Sequence, residues 1–143
     1  MSRNFPKHIA VIPDGNRRWA RRQNLKPWEG HYEGAQRFEE LVDIAFELGV
    51  ESLTFWGSSV DNLTKRPLKE KIALLDIYEK YFQKLINDKR IFTDNIRINV
   101  LGKWQEQFPA KLVKLLKSGI EKTKKHAGFQ SVSYTHLTLP TKA

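Results

Sequence analysis

The stretch HIAVIPDGNRRWARR, residues 8–22, decides the fold. His8 to Ile12 read as a short buried β-strand, and Pro13 and Gly15 end it. Asp14 stands alone at the strand's carboxyl end, with Arg17, Arg18, Trp19, Arg21 and Arg22 close behind. Asn16 is placed to cap a short helix beginning at Arg17. In open α/β sheets, ligands sit beyond the carboxyl ends of strands. Gly15 lets a ligand approach the backbone, and the next helix start offers free N–H groups to an anion. Guanidinium groups suit phosphate oxygens, and a carboxylate beside bound phosphates is the usual way Mg2+ is held. The motif therefore reads as a diphosphate cradle with one metal ligand. The alternative is a turn aspartate ahead of a solvated basic helix, and spacing alone does not choose between them. No G-x-x-x-x-G-K-[ST] loop occurs.

Outward from this stretch, NLKPWEG, residues 24–30, reads as loop. From His31 to Leu48, Phe38, Leu41, Val42, Ala45 and Leu48 recur at helical spacing, and Gly49 terminates the helix. VESLTFWG, residues 50–57, is rich in β-formers and predicts a second strand. Ser58 to Arg66 reads as a polar loop, and Pro67 suits the first turn of a helix with Ile72, Leu75, Tyr78, Phe82 and Leu85 on one face. NIRINVLG, residues 95–102, alternates as a third strand, and Ala110 to Lys125 carries Leu112, Leu116 and Ile120 as an amphipathic helix. Strands alternating with helices predict an α/β fold, a parallel sheet with helical crossovers. In such a sheet the loop after the second strand opens on the same edge as Asp14. Ser58, Ser59, Asn62 and Arg66 would then face the cradle, unless they only cap the next helix.

Composition bounds the rest. The chain has 143 residues, is 40% hydrophobic and 29% charged, and carries a net charge of +9. These values fit one globular domain or part of one, with an anionic partner. Residues 1–30 hold seven Lys and Arg against two acids, and a second basic block runs from Lys103 to Lys125. The absence of cysteine excludes disulfides and thiolate metal sites. No signal-like core precedes His8, and no apolar run approaches the roughly 20 residues that span a bilayer. A cytoplasmic chain is expected, with peripheral membrane contact through its product and basic helix. His8 is expected to be structural and hydrogen-bonded, His126 solvated. SVSYTHLTLPTKA, residues 131–143, breaks the charged pattern and is similar to translated read-through of a transposase-type sequencing adapter. It would otherwise serve as an alternating strand. The expectation is a single domain whose N-terminal part is residues 1–130, incomplete at its C-terminus, followed by a non-native tail.

The motifs HIAVIPDGNRRWA, EGHYEGAQRFEELV, LTFWGSSVDNLTKRP and IRINVLGKW together resemble the cis-prenyltransferase family, across essentially Lys7 to Gln130. The resemblance implies condensation of isopentenyl diphosphate with an allylic diphosphate, such as farnesyl diphosphate, in cis geometry. It implies Mg2+ at Asp14, which also helps the diphosphate leave. Gly15, Asn16, Arg17 and Arg18 would hold that diphosphate, with Trp19 beside the site and His31 near the leaving group. Ser59, Val60, Asp61, Leu63 and Arg66 would contact substrate, and Asn62 matches the position described as proton acceptor. A carboxamide is too weak a base to act unaided, so a positioning role with diphosphate or water as base is expected. Three departures stand out. Pro27 occupies a register where the family has Arg, leaving Lys26 as substitute. Leu63 replaces a tryptophan, with Thr64 inserted. The family's C-terminal arginines and metal-binding glutamate would lie beyond Gln130, so the chain itself is expected to be inactive. A homodimer is implied for the full-length protein. Phe38, Leu41, Ala45 and the face from Ile72 to Leu85 would line a hole for the growing chain, or simply form core. Trans-type prenyl synthases use paired aspartates, and no Asp-Asp pair occurs. The rival readings are a basic nucleic-acid-binding module and a non-catalytic partner subunit of a prenyltransferase. Clustering of the arginines around one acid favours no nucleic acid as partner.

Overall fold

The computed structural model describes residues 4–57 and 60–134, excepting the side chains of residues 60–62 and 134. The elements run β1 (His8–Val11), α1 (Asn16–Arg22), α2 (Pro27–Glu47), β2 (Ser52–Trp56), α3 (Val60–Lys65) and α4 (Leu68–Ile86). They continue with α5 (Arg90–Thr93), β3 (Arg97–Leu101), α6 (Trp104–Gln107), α7 (Ala110–Thr123) and β4 (Gln130–Tyr134). The strands form one sheet in the order β1-β2-β4-β3, and every neighbouring pair is parallel. Parallel strands cannot be joined by tight turns, so α2, α4 and α7 serve as the crossovers.

The register separates the two faces. Ile9, Leu53, Ser131 and Ile98 align in one row, and Val11, Phe55, Ser133 and Val100 in the next. This face meets the core. One cluster joins Ala45, Val50, Leu53, Ile86, Ile91, Ile96, Ile98 and Phe129. A second joins Leu63, Phe82, Val100, Trp104, Phe108, Leu112 and Leu116. The opposite face carries His8, Ser52, Gln130 and Arg97 in one row and Ala10, Thr54, Val132 and Asn99 in another, and none of these is buried. Parallel sheets are ordinarily covered on both faces, so this polar face is unusual.

Several expectations change. β1 is not buried: it lies at the sheet edge and alternates between exposed and half-buried residues. Asn16 is the first helical residue, and the helix opens on Gly15 at φ +94°, a conformation that favours glycine. The loop before His31 is short because α2 starts at Pro27, where the ring's fixed φ suits a first helical turn. The segment read as polar loop contains α3. Of the expected face of α4, Phe82 is core and Leu75, Tyr78 and Leu85 pack against it, but Ile72 is 58% exposed, and Ala73, Leu74 and Ile86 are buried as well. His126 is half-buried and donates from Nδ1 to the Ile96 carbonyl at 2.9 Å. His8 bonds Thr54 Oγ1 at 2.7 Å, as a structural histidine should. The alternating segment after Phe129 forms β4, the strand between β2 and β3.

Candidate active site

β1 ends at Val11, and the chain turns through Pro13 and Asp14 into α1. α1 lies close on α2 because two glycines of α2 face it. A Cβ at Gly30 would stand 2.2 Å from the Asn16 carbonyl oxygen and 2.9 Å from Ala20 Cβ. A Cβ at Gly34 would stand 2.5 Å from Asn16 Oδ1. The Asn16 carboxamide thus occupies the space that glycine leaves open. This contact packs the Asn16–Ala20 face of α1 against the first turns of α2 and leaves Arg17, Arg18, Arg21 and Arg22 exposed.

The result is a polar cavity of about 340 Å³ at the carboxyl end of β1. Pro13, Asp14, Gly15 and Asn16 form one wall, Arg17, Arg18 and Arg21 another, and His31 and Arg66 close it. Asp14 is exposed and accepts a hydrogen bond from Arg18 Nη2 at 3.1 Å. Four guanidiniums around one cavity make a strong anion site. Among the described residues, no group of three or more His, Asp or Glu converges to cage a metal. A lone exposed carboxylate does fit Mg2+, which keeps several waters and takes its other oxygens from substrate phosphates.

His31 and Arg66 meet at a buried carboxylate. Glu70, in the first turn of α4, is 2% exposed. His31 Nε2 lies 2.7 Å from Glu70 Oε1 and donates to it, since an ionised carboxylate can only accept. Arg66 Nη1 donates to the same oxygen. Arg17 Nε lies 3.4 Å from it. Burial pushes the imidazole pKa down and the hydrogen bond to Glu70 opposes this; with Arg66 and Arg17 nearby the net direction is downward, so His31 is neutral. Burial alone would raise the Glu70 carboxyl, but hydrogen bonds from His31 and Arg66 outweigh it and hold the group ionised.

A second, apolar cavity of about 120 Å³ adjoins the first. Phe38, Phe55, Trp56, Leu74, Tyr78, Tyr81, Phe82 and Phe108 are among its walls. Pro13, Asn16, His31 and Arg66 line both cavities and form the seam between them. Leu41 and Ala45, expected in such a hole, are not among its lining residues, and Ala45 belongs to the core.

The structure therefore brings Asp14, Gly15, Asn16, Arg17, Arg18, His31 and Arg66 together. Trp19 is 41% exposed and does not line the cavity. Two further expected residues have other contacts. The Lys26 N–H bonds Glu29 Oε2 at 2.7 Å in a capping box at the start of α2. Leu63 is core. Ser59 lies outside the described residues, as do the side chains of Val60, Asp61 and Asn62. Sequence reasoning missed Glu70, Gly30 and Gly34, whereas Arg21, read as part of the basic cluster, does line the cavity. The signal for Glu70 was its place four residues after Arg66, on one helical face.

Fold and site define a class: an α/β protein in which an arginine-lined anion cavity opens onto an aromatic hole at the carboxyl edge of a parallel sheet. Comparison with known proteins narrows it. The prenyltransferase family model described as "Putative undecaprenyl diphosphate synthase" matches residues 12–136, and the chain belongs to that family, the cis-prenyltransferases. The tritrans,polycis-undecaprenyl-diphosphate synthase (geranylgeranyl-diphosphate specific) of Thermococcus kodakarensis is 38% identical over 128 residues, covering 90% of this chain and 48% of its own length. The isoprenyl transferase of Aquifex pyrophilus is 37% identical over 125 residues, covering 87% of this chain and 52% of its own. The crystal structure of lavandulyl diphosphate synthase from Lavandula x intermedia, in complex with dimethylallyl diphosphate, shares the fold. Its TM-score is 0.81 at 24% identity, over 91% of this chain and 54% of that one. The chain spans about half the length of the relatives it matches. No helix among the described residues is long and apolar enough to cross a membrane.

Proposed function

We propose that this chain is the diphosphate-binding, N-terminal part of a cis-prenyltransferase that condenses isopentenyl diphosphate with an allylic diphosphate. The observation that carries this reading is the seam at Pro13, Asn16, His31 and Arg66, where the anion cavity meets the apolar one. An allylic diphosphate is a molecule of that shape: charged at one end, hydrocarbon at the other. Laid across the seam, its scissile C–O bond falls beside His31 and Arg66. Arg17, Arg18 and Arg66 neutralise the charge that develops on the departing diphosphate. The aromatic walls hold the hydrocarbon and exclude water from the allylic carbon. Mg2+ at Asp14 would supply further neutralisation of the diphosphate. Asn62 would orient the second substrate, and Ser59, Val60 and Asp61 would contact it. The proton lost on condensation would pass to a diphosphate oxygen, a far stronger base than a carboxamide, directly or through water.

We infer in addition that residues 131–143 are a non-native tail. A central parallel strand is ordinarily near-continuous in apolar residues. Here Ser131 and Ser133 interrupt two apolar rows, at 7% and 9% exposure. The polar second face of the sheet is in keeping with further chain that would cover it, and homodimerisation and membrane contact would belong to that longer protein.

Calorimetric titration of the chain with farnesyl diphosphate tests the reading. Binding is expected to tighten with Mg2+, and Asp14→Ala is expected to remove about tenfold or more of that affinity, as loss of a metal ligand does. Equal binding with and without Mg2+, or an unaffected Asp14→Ala, would refute the metal assignment. A nucleic-acid module would instead retain single-stranded DNA with a steep loss on adding salt.

A further inference from the structure

Glu70 is a charged residue buried to 2% exposure, yet one of its two oxygens does all the bonding. Among the described residues Oε2 is buried without a partner, and so is Arg66 Nε. Core stability does not ask for this arrangement, since apolar residues of similar volume often replace a buried ion pair without loss. Leaving lone pairs unused in the interior carries a cost of its own. What the arrangement achieves is convergence. Arg17 comes from α1, His31 from α2 and Arg66 from the junction of α3 and α4, and Glu70 Oε1 touches all three. All three line the anion cavity, and two of them lie on the seam.

We propose that Glu70 is a positioning residue: its carboxylate aims Arg66 and His31 at the anion cavity and serves as the resident counter-anion of Arg17 until a diphosphate arrives. The proposal rests on the diphosphate reading of that cavity. The three partners are held unequally. His31 and Arg66 are largely buried and hydrogen-bonded, and they stay. Arg17 is 52% exposed at 3.4 Å, a loose ion pair that a diphosphate can take over. His31 Nε2 lies 2.7 Å from the acceptor-only Glu70 Oε1 and 3.2 Å from the donor-only Arg66 Nη1, and the shorter contact assigns the imidazole proton to Nε2. The carboxylate thus places negative charge next to an anion site, which Coulomb's law alone would count against binding.

That conflict makes the test decisive. Isothermal titration of the 143-residue chain with inorganic pyrophosphate is compared with Glu70→Gln and Glu70→Asp, with folding checked by circular dichroism. If Glu70 positions the guanidiniums, Glu70→Gln weakens pyrophosphate binding by about tenfold, the scale of a single charge-assisted hydrogen bond. Glu70→Asp, which keeps the charge, recovers part of the loss. If Glu70 is only a misplaced negative charge, Glu70→Gln binds as tightly as the parent or tighter, and the proposal falls. Should Glu70→Gln not fold, the comparison passes to Glu70→Asp and to the imidazole of the unmodified chain. Nitrogen-15 NMR should find the His31 proton on Nε2, with and without pyrophosphate, and a proton on Nδ1 alone would overturn the proposal. Absence of pyrophosphate binding by the parent chain would remove the diphosphate reading itself. Firm parent binding left untouched by Glu70→Gln would remove only the role of Glu70.

Discussion

At the scale of single residues, the chemistry concentrates on the contact between His31 and Glu70. His31 is depressed below its ordinary value of 6.5, by burial first and by Arg66 and Arg17 after it, with Glu70 pulling the other way. The unfolded chain therefore takes up a proton at a higher pH than the folded one. Stability from the neutral imidazole is present above pH 6.5 and is lost as pH falls below it. Glu70 is held below its ordinary 4.5, so its contribution persists above that pH and is lost on further acidification. Both signs agree. Thermal melting of the chain is expected to move to lower temperature between about pH 7.5 and 5.5, and further below about pH 4.5. A melting temperature that rises toward the acid end of the first interval would mean that His31 is charged in the fold, and the neutral assignment would be wrong.

Among the elements, the decisive packing is α1 on α2 through two glycines with different neighbours. Gly30 meets backbone and Ala20 Cβ, which have nowhere to go. Gly34 meets the end of the Asn16 side chain. Gly30→Ala should therefore cost about 1–3 kcal/mol of stability through overpacking. Gly34→Ala should cost less stability but push Asn16 into the seam, weakening pyrophosphate binding severalfold. Chemical denaturation and calorimetry on the two variants check this, and equal loss of stability would show that Asn16 is not the group displaced. Such packing is only half legible from the chain. The strands and the long helices could be read because their apolar periods are strong, as in Leu112 and Leu116 of α7 or Ile98 and Val100 of β3. Asp14 and the arginines of α1 could be read because they are neighbours in sequence. The contact of Glu70 with His31 spans 39 residues and exists only once α2 packs on α4. α3 was hidden by its polar composition, and α5 and α6 are single turns of four residues, too short to show a period. β1 misled because apolar residues at a sheet edge look like those at its centre.

At the scale of the whole molecule, charge and extent set what the chain can do alone. Condensation brings two diphosphates together, and each must be neutralised. Arg17, Arg18, Arg21 and Arg66 gather around one cavity. Arg37 pairs with Glu33 and Glu40, and Arg90 with Asp88 and Asp43, and neither lines the anion cavity. Lys111 of α7 is likewise tied, to Glu79. Relatives carry about as much chain again as is present here. Binding and turnover should therefore come apart. The 143-residue chain is expected to bind farnesyl diphosphate, yet to give no polyprenyl product with radiolabelled isopentenyl diphosphate and Mg2+. A chain extended through the natural downstream coding sequence should bind the allylic substrate and elongate it. The separation has a physical basis: one anion site holds a leaving group, but without a second the attacking alkene is neither held nor aligned, and the effective concentration that drives the reaction is missing. Robust elongation by the short chain would place both diphosphate sites within residues 1–143 and would require a guanidinium set other than the one gathered around Asp14.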